Sequence, residues 1–168
     1  GHEVMGHDVN PAVMQKQSCS YKEQGPNGEP TIEPLLRRSG LLFGSLSEVV
    51  DHSEIIFVAV QTPHEEKYEG TTELPYERVD FDYRYLIEAV ASLSREIEAI
   101  RKEVVVVVVS TVLPGTTRKK LVPLINGYVK LCYNPSFIAM GTALHDILHP
   151  EYVLFGVWDQ AAAIKAEA

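Results

Sequence analysis

Four short polar runs each follow an apolar stretch, and they carry the side chains best placed to bind a small molecule. They are Asp8, Gln61-Thr62-Pro63, Ser110-Thr111 and Asn134-Pro135-Ser136-Phe137. Their chemistry is hydrogen bonding: a carboxylate that accepts, hydroxyls that do both, and amides. None is an activated nucleophile. Ser136 has no base beside it in the sequence, and a serine hydroxyl cannot act as acid or base near neutral pH without one. His145 and His149 stand four apart, the spacing of a zinc-binding helix, with Asp146 where that motif has glutamate. Pro150 ends that helix and no third ligand is evident, so no metal is expected. Arg118-Lys119-Lys120 reads as a solvated helix face.

The elements that must position these groups alternate between strand and helix. Six consecutive valines at 104–109 are apolar on both faces and read as a strand covered by helices from both sides. The run is too short to span a membrane. It ends in Ser110-Thr111 and a Pro114-Gly115 turn, after which Thr116 can cap a helix over 116–125. Residues 3–9 read as a short strand, and Asn10-Pro11 as the start of a helix. Leu41 to Phe43 suggests a small strand, and Ser45-Leu46-Ser47-Glu48 is a capping box opening a helix to His52. Residues 55–60 form a second buried strand. The spacing of Leu86, Val90, Leu93, Ile97 and Ile100 predicts a helix over 82–100 with one apolar stripe, and Phe81, Tyr83 and Tyr85 read as its packing. Strands are expected at 129–133 and 152–157, a short helix at 143–148, and a last helix from Asp159. Residues 18–31 and 64–80 read as loops, and 33–38 as a short helix.

The chain has 168 residues, 45% of them hydrophobic, and a net charge of −8. These values fit one globular domain over 1–168 and argue against nucleic acid, whose binding leans on Lys and Arg. Two cysteines, Cys19 and Cys132, make no disulfide framework, so a reducing cytoplasm is the expected compartment. No signal peptide or membrane span is visible. The alternation gives an α/β fold: a doubly wound, Rossmann-like, mostly parallel sheet with helices on both faces.

Taken in order, the four polar strand ends resemble the nucleotide-sugar 6-dehydrogenase family, the UDP-glucose and GDP-mannose dehydrogenases, and specifically its N-terminal NAD-binding domain. The matching text is Gly1-His2-Glu3-Val4 with Asp8-Val9-Asn10-Pro11, then Ile56 through Pro63, then Ser110 through Thr116, then Asn134-Pro135 with Gly141-Thr142-Ala143-Leu144-His145-Asp146. The resemblance covers nearly the whole chain. It implies oxidation of a sugar 6-hydroxymethyl group to a carboxylate with two NAD⁺, through an enzyme thioester. It further implies that Asp8 accepts hydrogen bonds from the adenosine ribose. Val60, Gln61, Thr62, Pro63 and Ser110 would pack on NAD, and Thr111 would lie near the nicotinamide and the catalytic water. Asn134, Ser136, Phe137, Ile138 and Ala139 would line the sugar-nucleotide side. The implied partner is a UDP-sugar, with no nucleic acid and no membrane, in a homodimeric parent.

The departures from the family pattern are specific. Its first strand and Gly-x-Gly-x-x-Gly turn would precede Gly1, and its catalytic cysteine lies in a later domain. Neither Cys19 nor Cys132 takes that role. Ser136 stands where the family often has glutamate, and Tyr152 where arginine is common. The chain therefore reads as an excerpt of a longer protein, inactive alone. Two other readings stay open: a non-catalytic nucleotide-binding or assembly module, and a hydroxyacid dehydrogenase of the broader Rossmann group.

Overall fold

The computed structural model describes residues 2–14, 40–68, 73–138 and 142–167. The expected loop at 18–31, the helix at 33–38 and Ala139 lie outside these. The chain divides into two compact units, one of Gly1–Ser53 with Ser136–Leu154 and one of Glu54–Pro135 with Phe155–Ala168.

In the first unit, β1 (Met5–Gly6) pairs in parallel with β2 (Leu42–Phe43). The strand expected over 3–9 is therefore confined to its middle. Helix α1 (Pro11–Met14) starts as its sequence demands. Asn10 Oδ1 accepts the Ala12 N–H at 3.0 Å, and proline occupies the first position, where no N–H is needed. Helix α2 (Leu46–His52) carries the full capping box. Ser45 Oγ accepts the Glu48 N–H at 3.3 Å, and Glu48 Oε2 accepts the Ser45 N–H at 2.7 Å.

The second unit is built on a four-stranded sheet, in the order β3 (Ile55–Val58), β4 (Val104–Val108), β5 (Val129–Tyr133), β6 (Gly156–Val157). The first three strands are parallel and β6 is antiparallel. All five residues of β4 are buried. Alternation of side chains splits them between the two faces. Val105 and Val107 pack with Cys132 and with Ala162 of α5 (Gln160–Glu167). Val106 and Val108 share the other face with their partners Ile56 and Val58, and α3 (Arg84–Ile100) packs over β3 through its stripe of Leu86, Val90, Leu93 and Ile97. The valine run is thus covered on both sides, as its composition requires. Helix α4 (Ala143–Leu148), in the first unit, ends before Pro150.

Several expectations need correction. Residues 55–60 are not a strand buried on both faces: β3 stops at Val58, and Phe57 is 61% exposed on this edge strand. Ile100 ends the apolar stripe at the last helical residue and is exposed, and Tyr85 lies outside the stripe under Arg84. The strand expected over 152–157 is only Gly156–Val157; Tyr152, Val153 and Leu154 are exposed, and pairing begins where the chain enters the second unit. The helix expected over 116–125 is replaced by a wide turn over Thr117–Leu121 and a tight 3₁₀ turn over Val122–Leu124. Pro123 has no N–H to continue an α-helical ladder, so the bonding widens before it and tightens around it. Thr116 caps nothing, because its own backbone is helical and its hydroxyl turns to Tyr83.

Candidate functional site

Register places three strand ends level. Val58 lies opposite Val108, and Val108 opposite Tyr133, so β3, β4 and β5 finish at the same edge of the sheet. The polar runs at 60–63, 110–111 and 134 all emerge there. In open α/β sheets that edge is where ligands bind.

The β3 and β4 ends are fastened to each other. Val109 N–H donates to Val58 C=O at 2.9 Å, one step beyond the strand pairing. Ser110, buried, then takes over from the ladder: its Oγ accepts the Val60 N–H at 2.9 Å and donates to the Val60 C=O at 2.6 Å. Thr62 Oγ1 donates to the Thr111 C=O at 2.9 Å. Pro63 C=O accepts the Asp82 N–H at 2.8 Å, which ties the same segment to the chain entering α3. Asn134 N–H donates to Val108 C=O at 2.9 Å and keeps the third strand end level.

The arrangement separates two kinds of residue. Ser110 faces inward and holds backbone. Gln61, Pro63 and Thr111 are exposed, and no described residue hydrogen-bonds the Thr111 hydroxyl. Beside Pro63 lies an open cleft of about 320 Å³ whose walls include His64, Val79, Asp80, Phe81 and Asp82. Val60, Gln61, Thr62, Pro63, Ser110 and Thr111 are therefore brought together in the second unit, with Asn134 at the same sheet edge.

In the first unit, Asp8 follows β1 by two residues and is half-buried. Its Oδ1 accepts the Asn10 N–H at 2.7 Å. A carboxylate has about four acceptor sites, so this turn leaves it capacity for a diol. Ser136, Phe137 and Ile138 are exposed in the same unit, and the Phe137 ring lies 4.6 Å from that of Tyr152. Tyr152, at the position where arginine was expected, thus meets a candidate substrate residue by ring contact.

Two residues of the second unit have a part the sequence does not announce. Tyr83 is 2% exposed, and its hydroxyl oxygen accepts the Leu113 N–H at 3.1 Å and lies 3.4 Å from Thr116 Oγ1. Burial and the Asp80 carboxylate push the Tyr83 phenol up, and the Tyr83 hydroxyl in turn holds Asp80 below the usual carboxylate range. The only sequence signal was an aromatic residue between Asp82 and a helix. Burial also pushes the Cys132 thiol up, which leaves it an inert core residue. The His145 and His149 rings lie 5.0 Å apart, tilted at 49°, and among the described residues no cluster of three metal-ligating side chains occurs.

The family model for the UDP-glucose/GDP-mannose dehydrogenase family, NAD binding domain, matches residues 1–168. The chain belongs to this family. It is 32% identical to a GDP-mannose 6-dehydrogenase of Pseudomonas aeruginosa over 95% of this chain and 36% of that protein. Among solved structures, it resembles a UDP-glucose dehydrogenase from Pyrobaculum islandicum at 28% identity and a TM-score of 0.76, over 99% of this chain and 38% of that one. It also resembles a ternary complex of GDP-mannose dehydrogenase from Pseudomonas aeruginosa at 26% identity and a TM-score of 0.79, with the same coverage. The chain spans well under half the length of these relatives. The expected Rossmann-type fold and the NAD-binding nature of the domain follow from these matches. No described helix is long and apolar enough to cross a membrane.

Proposed function

We propose that the protein carrying this chain oxidises the 6-hydroxymethyl group of a nucleotide sugar to a carboxylate, with 1–168 serving as a single NAD-binding domain. The conversion removes four electrons: R–CH₂OH, water and two NAD⁺ give R–COO⁻, two NADH and three protons. NAD⁺ supplies the hydride acceptor for each of the two steps. The observation that carries the proposal is the level edge of three parallel strands, from which exposed Gln61, Pro63 and Thr111 project while Ser110 and Thr62 hold the backbone behind them.

The donor set fits a dinucleotide. The Asp8 carboxylate matches a ribose diol and disfavours a 2′-phosphate by charge. Val60, Gln61, Thr62, Pro63 and the backbone held by Ser110 form a neutral wall for the cofactor. The Thr111 hydroxyl can orient a water at the nicotinamide end. By the family pattern, Asn134, Ser136, Phe137, Ile138 and Ala139 are assigned to the sugar nucleotide, with Ser136 a contact that does not move protons by itself. No residue of this chain is assigned as nucleophile. UDP-sugars and GDP-sugars are the substrate class by family, and a cytoplasmic homodimer is the expected setting.

Calorimetric titration of the complete protein with NAD⁺, together with absorbance at the NADH band on adding UDP-glucose or GDP-mannose, tests this. Binding and two NADH per sugar oxidised are expected. Absence of NAD⁺ binding at millimolar cofactor overturns it. The isolated chain, which contains no Gly-x-Gly-x-x-Gly sequence, is expected to bind NAD⁺ weakly and turn nothing over.

A further inference from the structure

Thr111 stands between two fastenings. Its own carbonyl is held by Thr62 Oγ1, and two residues later the Leu113 N–H is held by Tyr83 at 3.1 Å. Between Leu113 and Thr116 the chain turns through Pro114, which has no N–H, and Gly115, at φ +87°. The turn is closed by its own bond, from the Thr116 N–H to the Leu113 C=O at 3.1 Å, and moves as a unit whose place is set by what grips it from outside.

The Tyr83 hydroxyl does the gripping. A phenol has one proton to give and two lone pairs to offer. Here it accepts from the Leu113 N–H at 3.1 Å and from Thr116 Oγ1 at 3.4 Å. Lys120 lies 4.9 Å from the centroid of the Tyr83 ring and 3.5 Å from Asp80 Oδ2, so Asp80 holds a cation over the ring. The ring alone would fill this part of the core. A phenylalanine offers nearly the same volume, and the hydroxyl would be a burden there without partners. Both of these partners belong to the turn that follows Thr111. Asp80, which holds Lys120, lines the cleft beside Pro63.

We propose that Tyr83, with Lys120 held over its ring by Asp80, is a positioning residue that fixes the 111–116 turn and hence the Thr111 hydroxyl at the nicotinamide end of the site. The proposal rests on the dehydrogenase function set out above. It makes the loop leading into α3 a mechanical part of the site, through a single buried oxygen.

The test compares the complete wild-type protein with Tyr83→Phe and Asp80→Asn. The readouts are amide exchange at Leu113, kcat and KM with NAD⁺ and either UDP-glucose or GDP-mannose as the turned-over substrate, and the thermal midpoint. Tyr83→Phe is expected to speed Leu113 exchange and to lower kcat about tenfold, since small displacements of a reacting group are amplified in rate. KM for the sugar should hold within about twofold, because the sugar-side residues are untouched. Asp80→Asn, at an exposed residue and therefore able to fold, should move kcat and Leu113 exchange the same way by less. Wild-type kcat in either variant overturns the positioning role and leaves the dehydrogenase function intact. A wild-type protein that binds no NAD⁺ overturns both. A drop in kcat that vanishes at temperatures where the variant is fully folded also overturns it, since a merely structural role predicts that result.

Discussion

Ser110 Oγ grips both polar groups of Val60, accepting its N–H at 2.9 Å and donating to its C=O at 2.6 Å. The two residues are fifty apart in sequence, and the contact begins where strand pairing between β3 and β4 ends. A side chain thus does the work of a ladder for one more step. The segment that follows Val60 is thereby free to turn outward without losing its register.

Ser110→Ala removes both bonds and leaves two half-buried backbone groups without their partner. A loss of about 2 kcal/mol is expected, read as a lower urea midpoint with unchanged m-value. NAD⁺ affinity should fall as well, because Val60 to Pro63 is the segment released. An unchanged midpoint would mean that water replaces the hydroxyl there at no loss.

Gly115→Ala isolates backbone strain from packing. No atom lies within 4 Å of where a Cβ would stand, and φ is +87°. The expected loss is about 1 kcal/mol, visible as a lower thermal midpoint. Gly115→Asn should lose less, since asparagine tolerates positive φ better than alanine. Equal midpoints for all three proteins would show that the turn adapts.

Asp8→Asn tests the ribose contact. Removing the charge while keeping the shape should weaken NAD⁺ binding about tenfold, or about 1.4 kcal/mol, and narrow the preference over NADP⁺. Calorimetry with both cofactors measures the two effects together. A variant with undiminished NAD⁺ affinity would reduce Asp8 to a turn residue for Asn10.

The capping box of α2 gives a pH dependence with a defined sign. The Ser45 hydroxyl, and after it the Ser45 backbone N–H, hold the Glu48 carboxyl below its ordinary value of 4.5. The group is thus more acidic folded than unfolded. Its contribution is complete above 4.5 and is lost as pH falls through the folded value. Ser45→Ala is expected to be about 1 kcal/mol less stable at neutral pH. That gap should narrow in acid. Urea unfolding of both proteins at neutral pH and below pH 4.5 checks it, and a gap that widens in acid contradicts the assignment.

What could be read from sequence follows from how local each feature is. The valine run, the Ser45–Glu48 box and the Asn10-Pro11 helix start are decided by neighbours within a few residues, and they hold in the structure. Phe57 is as apolar as its neighbours, yet it is exposed, because edge position depends on which strands pair. The 116–125 segment has a helical pattern, but Pro123 decides its bonding. Ser110 is legible as a hydroxyl at a strand end; that it turns back onto Val60 is not. Tyr83 is legible as helix packing, whereas the thirty residues separating it from Leu113 conceal what its oxygen holds. The family pattern was readable because its polar runs sit at strand ends, and strand ends are set by local composition.

The all-valine β4 has a consequence outside the folded state. Six adjacent β-branched residues with no charge and no proline form a segment that pairs readily with its own copies once exposed. Arg101, Lys102 and Glu103 stand directly before it and Pro114 shortly after, flanking residues of the kind that interrupt such stacking. The same strand that makes the interior dry therefore makes unfolding hazardous. Heated protein is expected to aggregate through this segment, so its working lifetime is set by how fast the sheet opens, and its apparent melting temperature should rise with scan rate.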